Sequence, residues 1–70
     1  MEEVRDYELI DFVRGFKKPR QKYESREVFT QAILGKFYGR VSSDDVPTLL
    51  GRLKSLGIIS FVKNGNIRFL

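Results

Sequence analysis

Asn64 and Gly65 stand between two β-prone runs, Ile58-Ile59-Ser60-Phe61-Val62-Lys63 before them and Asn66-Ile67-Arg68-Phe69-Leu70 after. An Asn-Gly pair in that setting is the strongest short-range signal for a β-hairpin, because both residues tolerate the positive φ of a tight two-residue turn. Residues 58–70 therefore read as a hairpin. A two-residue turn sets Lys63 opposite Asn66, Val62 opposite Ile67 and Phe61 opposite Arg68. In that register Val62 and Ile67 share a core face with Ser60 and Phe69, and Phe61, Lys63 and Arg68 face outward. An isolated hairpin is marginal in water, so the preceding residues must supply a cover for its apolar face.

Three helical patterns supply it. Leu9, Phe12, Val13 and Phe16 recur at helical spacing with Ile10 at the margin, and Gly15 and Pro19 discourage continuation. This predicts a first helix over about 6–15. A basic loop follows over 16–24. Ser25 is then a candidate N-cap with Glu27 in the first turn, where a carboxylate suits the helix dipole. Val28, Phe29, Ala32, Ile33 and Phe37 form a broad apolar stripe, Leu34 lies off it, and Gly39 is a C-terminal stop. The second helix is predicted over about 26–38. The third, over about 43–56, opens on Ser42 and Ser43 as N-cap oxygens. Ser42-x-x-Asp45 resembles a capping box with Asp in place of Glu, and Pro47 fits only near the first turn. Val46, Leu49, Leu50, Leu53 and Leu56 make its buried stripe, and Gly57 ends it.

The chain has 70 residues, with no cysteine and no histidine. Its length, and the lack of repeats or a dividing linker, predict one domain spanning 1–70, held by packing alone without disulfides or thiolate metal sites. Without histidine the usual general base near neutral pH and the commonest metal ligand are missing. Asp44 and Asp45 are the one adjacent carboxylate pair beyond the N-terminal helix, and sequence neighbours do not face each other on a helix. The chain reads as a non-enzyme, with no catalytic, cofactor or metal site and no small-molecule substrate expected. No run is long enough to span a membrane, and the acidic start Met1-Glu2-Glu3-Val4 is no signal peptide. A cytoplasmic or nucleoid-associated location follows.

The net charge of +4 is unevenly spread. Residues 1–13 hold Glu2, Glu3, Asp6, Glu8 and Asp11 against Arg5 alone. Residues 14–40 hold Arg14, Lys17, Lys18, Arg20, Lys22, Arg26, Lys36 and Arg40 against Glu24 and Glu27. A basic middle third favours an anionic partner, although a charged run also serves as a solvated surface.

Helix, basic loop, helix, turn, helix and hairpin, in that order, resemble a winged helix-turn-helix domain of the α+β class, with three helices followed by a C-terminal two-stranded wing. The likeness is most specific from Val41 to Ile59, where a polar cap, Val46, Leu49-Leu50-Gly51-Arg52-Leu53 and Gly57-Ile58-Ile59 are similar to the recognition helix and wing entry of small transcription regulators. The resemblance implies double-stranded DNA as partner, with the third helix entering the major groove and the wing on the backbone or minor groove. Carried over residue by residue, the contacts expected from it are Ser43, Thr48, Arg52 and Ser55 on the third helix and Lys63, Asn64 and Arg68 on the wing. Lys17, Lys18, Arg20 and Lys22 of the basic loop suit phosphate neutralisation. Arg52 is the best base reader, since its guanidinium can fork onto guanine. The competing reading of Arg52 is a surface arginine pairing with Asp45. Gly51 is costly within an exposed helix face, and close approach of a partner backbone would account for it. Arg68 can lie on Phe61 instead of touching phosphate. Asp44 and Asp45 depart from the pattern, because they would repel a DNA backbone. With the Gly51 face and an exposed Phe61, they motivate an alternative: a protein–protein interaction module of a replication, transcription or trafficking complex. Homodimerisation through the acidic first helix, with Tyr7 or Ile10, is a further expectation.

Overall fold

The computed structural model describes residues 2–70 and is an α+β fold of three helices and a three-stranded antiparallel sheet. In chain order these are α1 (Asp6–Phe16), β1 (Tyr23–Glu24), α2 (Arg26–Lys36), a 3-10 turn (Ser43–Asp45), α3 (Val46–Ser55), β2 (Ile59–Phe61) and β3 (Ile67–Phe69). Among the described residues no helix is long and apolar enough to cross a membrane.

Local chemistry sets the helix ends. The Arg5 N–H donates to Glu8 Oε2 at 2.8 Å where α1 begins. The Ser25 hydroxyl accepts from the Val28 N–H at 3.1 Å, which caps α2. The Ser42 N–H donates to Asp45 Oδ2 at 3.0 Å, so the carboxylate closes half of a capping box. This first turn is 3-10, and regular α geometry starts only at Val46. At the far end Gly57 adopts φ +76°, its N–H donates to the Lys54 carbonyl, and the Ile58 N–H donates to that of Leu53. That pair of bonds is a Schellman motif, which needs a left-handed residue after the helix. The second helix ends at Lys36, two residues before the predicted limit, because Phe37 to Arg40 close a turn through Gly39 at φ +83°.

The core joins Leu9, Phe12 and Val13 of α1 to Phe29 and Ile33 of α2, Val46, Leu49, Leu50 and Leu53 of α3, and Ile59, Ile67 and Phe69 of the sheet. Phe12, Phe29, Phe37 and Phe69 pack within it and the partly buried Phe16 lies against them, with neighbouring ring centroids 5.5–6.4 Å apart. Tilted contacts at that distance add favourable quadrupole terms to the burial of large apolar surfaces. Two members of the predicted stripes are exposed, and Phe16 and Ala32 are only partly buried. Val28 is half exposed beside the N-cap of α2, and Leu56 is exposed because it follows α3 as the residue before the left-handed Gly57.

The sheet corrects the sequence reading twice. First, the loop over 16–24 contains a strand: β1 pairs antiparallel with β3, Tyr23 opposite Arg68 and Glu24 opposite Ile67, giving the order β1-β3-β2. Second, the hairpin register is shifted by one residue. Ile59 lies opposite Phe69, Ser60 opposite Arg68 and Phe61 opposite Ile67. A type I′ turn would need positive φ at both Asn64 and Gly65, and of the two only Gly65 has it, at +86°. The connection is instead a three-residue loop. The Val62 carbonyl accepts from the Gly65 N–H at 2.9 Å and the Val62 N–H donates to the Asn66 carbonyl at 3.1 Å. The slip moves Ile59 onto the core face with Ile67 and Phe69, all three buried, and puts Ser60 with Arg68 on the outer face. Apolar burial thus decided the register. Phe61 shares the inner face but lies at its edge, 38% exposed, so the expectation that it faces outward beside Arg68 is overturned.

Candidate functional site

The pairing of β1 with β3 repositions the basic loop. It draws the basic loop onto the sheet, where the Phe69 N–H donates to the Lys22 carbonyl at 2.8 Å and Tyr23 lies across from Arg68. Tyr23 and Arg68, far apart in sequence, thus share the outer face of the sheet, with Lys22 one residue before Tyr23. The loop itself is ordered. The Gln21 N–H donates to the Lys18 carbonyl at 3.0 Å, and the Gln21 side chain accepts from the Lys18 N–H and donates to Glu24 and to the Tyr23 carbonyl. Pro19 occupies the second position of this turn and Arg20 the third, at φ +67°. Arg20 is the one non-glycine residue with positive φ among the described residues. That position in a type II turn favours glycine, and a long side chain there carries a backbone cost on the order of 1 kcal/mol.

Of the five N-terminal carboxylates, Glu3, Asp6 and Glu8 are paired internally, while Glu2 and Asp11 are in no ion pair among the described residues. Arg40, from the segment after α2, forks onto Glu8 at 2.9 and 3.0 Å, donates to the Glu3 carbonyl and lies over the Phe37 ring at 5.6 Å. The Arg40 hydrogen bonds, with the Arg5 N–H adding to them, hold the Glu8 carboxyl at about 2, and the same contact raises the Arg40 guanidinium. Arg52 pairs with Asp6 in the first turn of α1, not with Asp45. Asp45 is engaged by Ser42, whose N–H and hydroxyl keep its carboxyl below the usual range. Arg5 reaches Glu3 at 3.9 Å. Among the described residues, Lys17, Lys18, Arg20, Lys22 and Arg68 have no such carboxylate partner.

The candidate residues therefore fall into three places. Lys18, Arg20 and Lys22 are exposed on the loop and Arg68 on the outer face of the sheet, with Lys17 half-buried where α1 ends. Ser43, Thr48 and Ser55 are exposed on the outer side of α3, and Arg52 on its flank is tied to α1. Lys63 and Asn64 form the hairpin turn, where Asn64 Oδ1 accepts from the Asn66 N–H at 3.1 Å. A Cβ placed on Gly51 would meet nothing within 4 Å, so no contact inside the molecule requires this glycine.

Two residues absent from the sequence-derived set belong with these. The Arg26 guanidinium lies 5.9 Å and the Lys54 ammonium 5.6 Å from the Phe61 ring centroid. Helices α2 and α3 and the hairpin each contribute one member. A cluster assembled from three separate elements leaves no local signal in the sequence. Beside it, a polar cleft of about 530 Å³ opens between the first turns of α2 and the hairpin turn, lined among others by Arg26, Thr30, Gln31, Asn64 and Asn66.

No protein-family model matches this chain, and neither any curated protein nor any solved structure matches it.

Proposed function

We propose that this chain is a winged-helix domain that binds double-stranded DNA through the phosphate backbone. The observation that carries this reading is the unpaired basic loop. The N-terminal carboxylates Glu3, Asp6 and Glu8 are met by arginines, while the basic loop, attached to the sheet beside Arg68, presents cations without internal partners. Phosphate contacts of this kind supply most non-specific affinity and fix the protein's orientation on the duplex. The left-handed Arg20 supports the reading, since strain kept at an exposed turn points to a use for the side chain. The element order and the hairpin directly after α3 support the winged-helix assignment. Capping by Asp45 explains one of the two acids at the α3 terminus without recourse to a partner.

The arrangement moves weight away from base reading by Arg52, which is held by Asp6, and towards backbone contact. The test compares the wild type with a K17Q/K18Q/R20Q/K22Q variant in duplex titrations across a salt series. The variant is expected to bind more weakly, with a plot of log K against log salt shallower by about 3–4, near 0.9 per lost contact. Equal affinity and slope in the two proteins would reject the loop as the interface.

The protein-interaction reading has one observation of its own. Ile10, Leu56, Ile58 and Leu70 line a groove of about 340 Å³ with Arg14 and Lys17 also on its walls, which suits an apolar side chain flanked by carboxylates on a partner protein. An L56D substitution would abolish such a contact and leave duplex binding unchanged.

A further inference from the structure

We propose that Arg26 and Lys54, gathered against Phe61 at the exposed edge of the hairpin, form a second phosphate-contact site. The inference rests on the duplex-binding reading and adds a site to it. Two cations delivered by different helices to within 6 Å of one ring centroid repel each other, and among the described residues neither has a carboxylate in ion-pair contact. Glu27 lies in the same first turn of α2 without pairing to either. The negative quadrupole face of Phe61 attracts both cations. It supplies no hydrogen-bond acceptor, so their N–H donors remain open to an anion.

The observed register separates this pair from Arg68. In the observed register Phe61 and Ile67 point to the inner face of the sheet and Arg68 to the outer. Arg68 lies on the outer face, and the Arg26–Lys54 pair lies with Phe61 at the edge of the inner one. The chemistry recognised at Arg26 and Lys54 is a phosphate oxygen, here of a phosphodiester strand.

The test uses the full chain with R26Q/K54Q, with F61L to remove the ring while keeping apolar volume, and with K36Q at the other end of α2 as control. In duplex titrations R26Q/K54Q is expected to lower the salt slope by about 2, additive with the loop variant, while K36Q leaves it unchanged. F61L is expected to weaken duplex binding with thermal unfolding retained. An R26Q/K54Q slope equal to wild type, with the wild type binding duplex, overturns this site and leaves the loop interface standing. If the wild type fails to bind duplex, titration with inorganic phosphate decides the site alone. Saturable NMR shifts at the Arg26 and Lys54 side chains, lost in F61L, would support an anion site, and their absence would reject it.

Discussion

At single residues, the ion pair between Glu8 and Arg40 predicts the acid behaviour of the fold. Glu8 titrates at about 2 in the native protein against an ordinary value of 4.5. A carboxyl with a depressed native pKa binds protons more readily in the unfolded chain, so its contribution is complete above about 4.5 and is lost as pH falls towards 2. E8Q is expected to be less stable than wild type at neutral pH and to lose less stability between those limits. Parallel acid-unfolding curves for the two proteins would contradict that role. Gly51 gives a second test. With open space at its Cβ position, G51A is expected to stabilise α3 by roughly 0.5–1 kcal/mol, raising Tm by a few degrees. If a duplex lies close against this face, the same substitution weakens binding. Unchanged affinity would place the duplex away from the α3 surface.

Among elements, what could be read from sequence divides by distance along the chain. Ser25, the Ser42–Asp45 cap and Gly57 were legible because each acts within a few residues on its own helix end. The apolar stripes of α1 and α3 were legible for the same reason, apart from Leu56. Strand β1 was not, since two residues in a basic segment carry no periodicity and pair only because β3 offers an open edge. The hairpin's existence was evident from Asn64-Gly65. Its register was not, because the turn took a three-residue form that lets Ile59 join Ile67 and Phe69 in the core. The partner of Arg52 lies 46 residues away in α1 and could not be inferred from the spacing of α3. G65A tests the turn directly. At φ +86° an added Cβ is expected to cost on the order of 1 kcal/mol and to broaden the amide signals of Val62 to Asn66. A fully stable variant would show that the left-handed residue is not required.

Over the whole molecule, stability rests on one aromatic core without a crosslink. A chain of 70 residues buries less of its surface than a larger domain, so its margin is narrow. Phe29 is fully buried and touches Phe12, Phe16 and Phe69, and so ties α2 to α1 and to the sheet. F29A is expected to cost about 3–5 kcal/mol, enough to remove most or all of the cooperative thermal transition. A variant that kept a sharp transition within a few degrees of wild type would refute that centrality.

The most direct test of the central claim is a fluorescence-anisotropy titration of the wild type with mixed-sequence duplex DNA at about 50 and about 200 mM salt. Lys17, Lys18, Arg20, Lys22 and Arg68 acting on phosphates are expected to give micromolar or tighter binding at low salt and a log–log slope at least as steep as about −4. No binding at low salt, or binding indifferent to salt, would contradict a backbone-directed DNA interface.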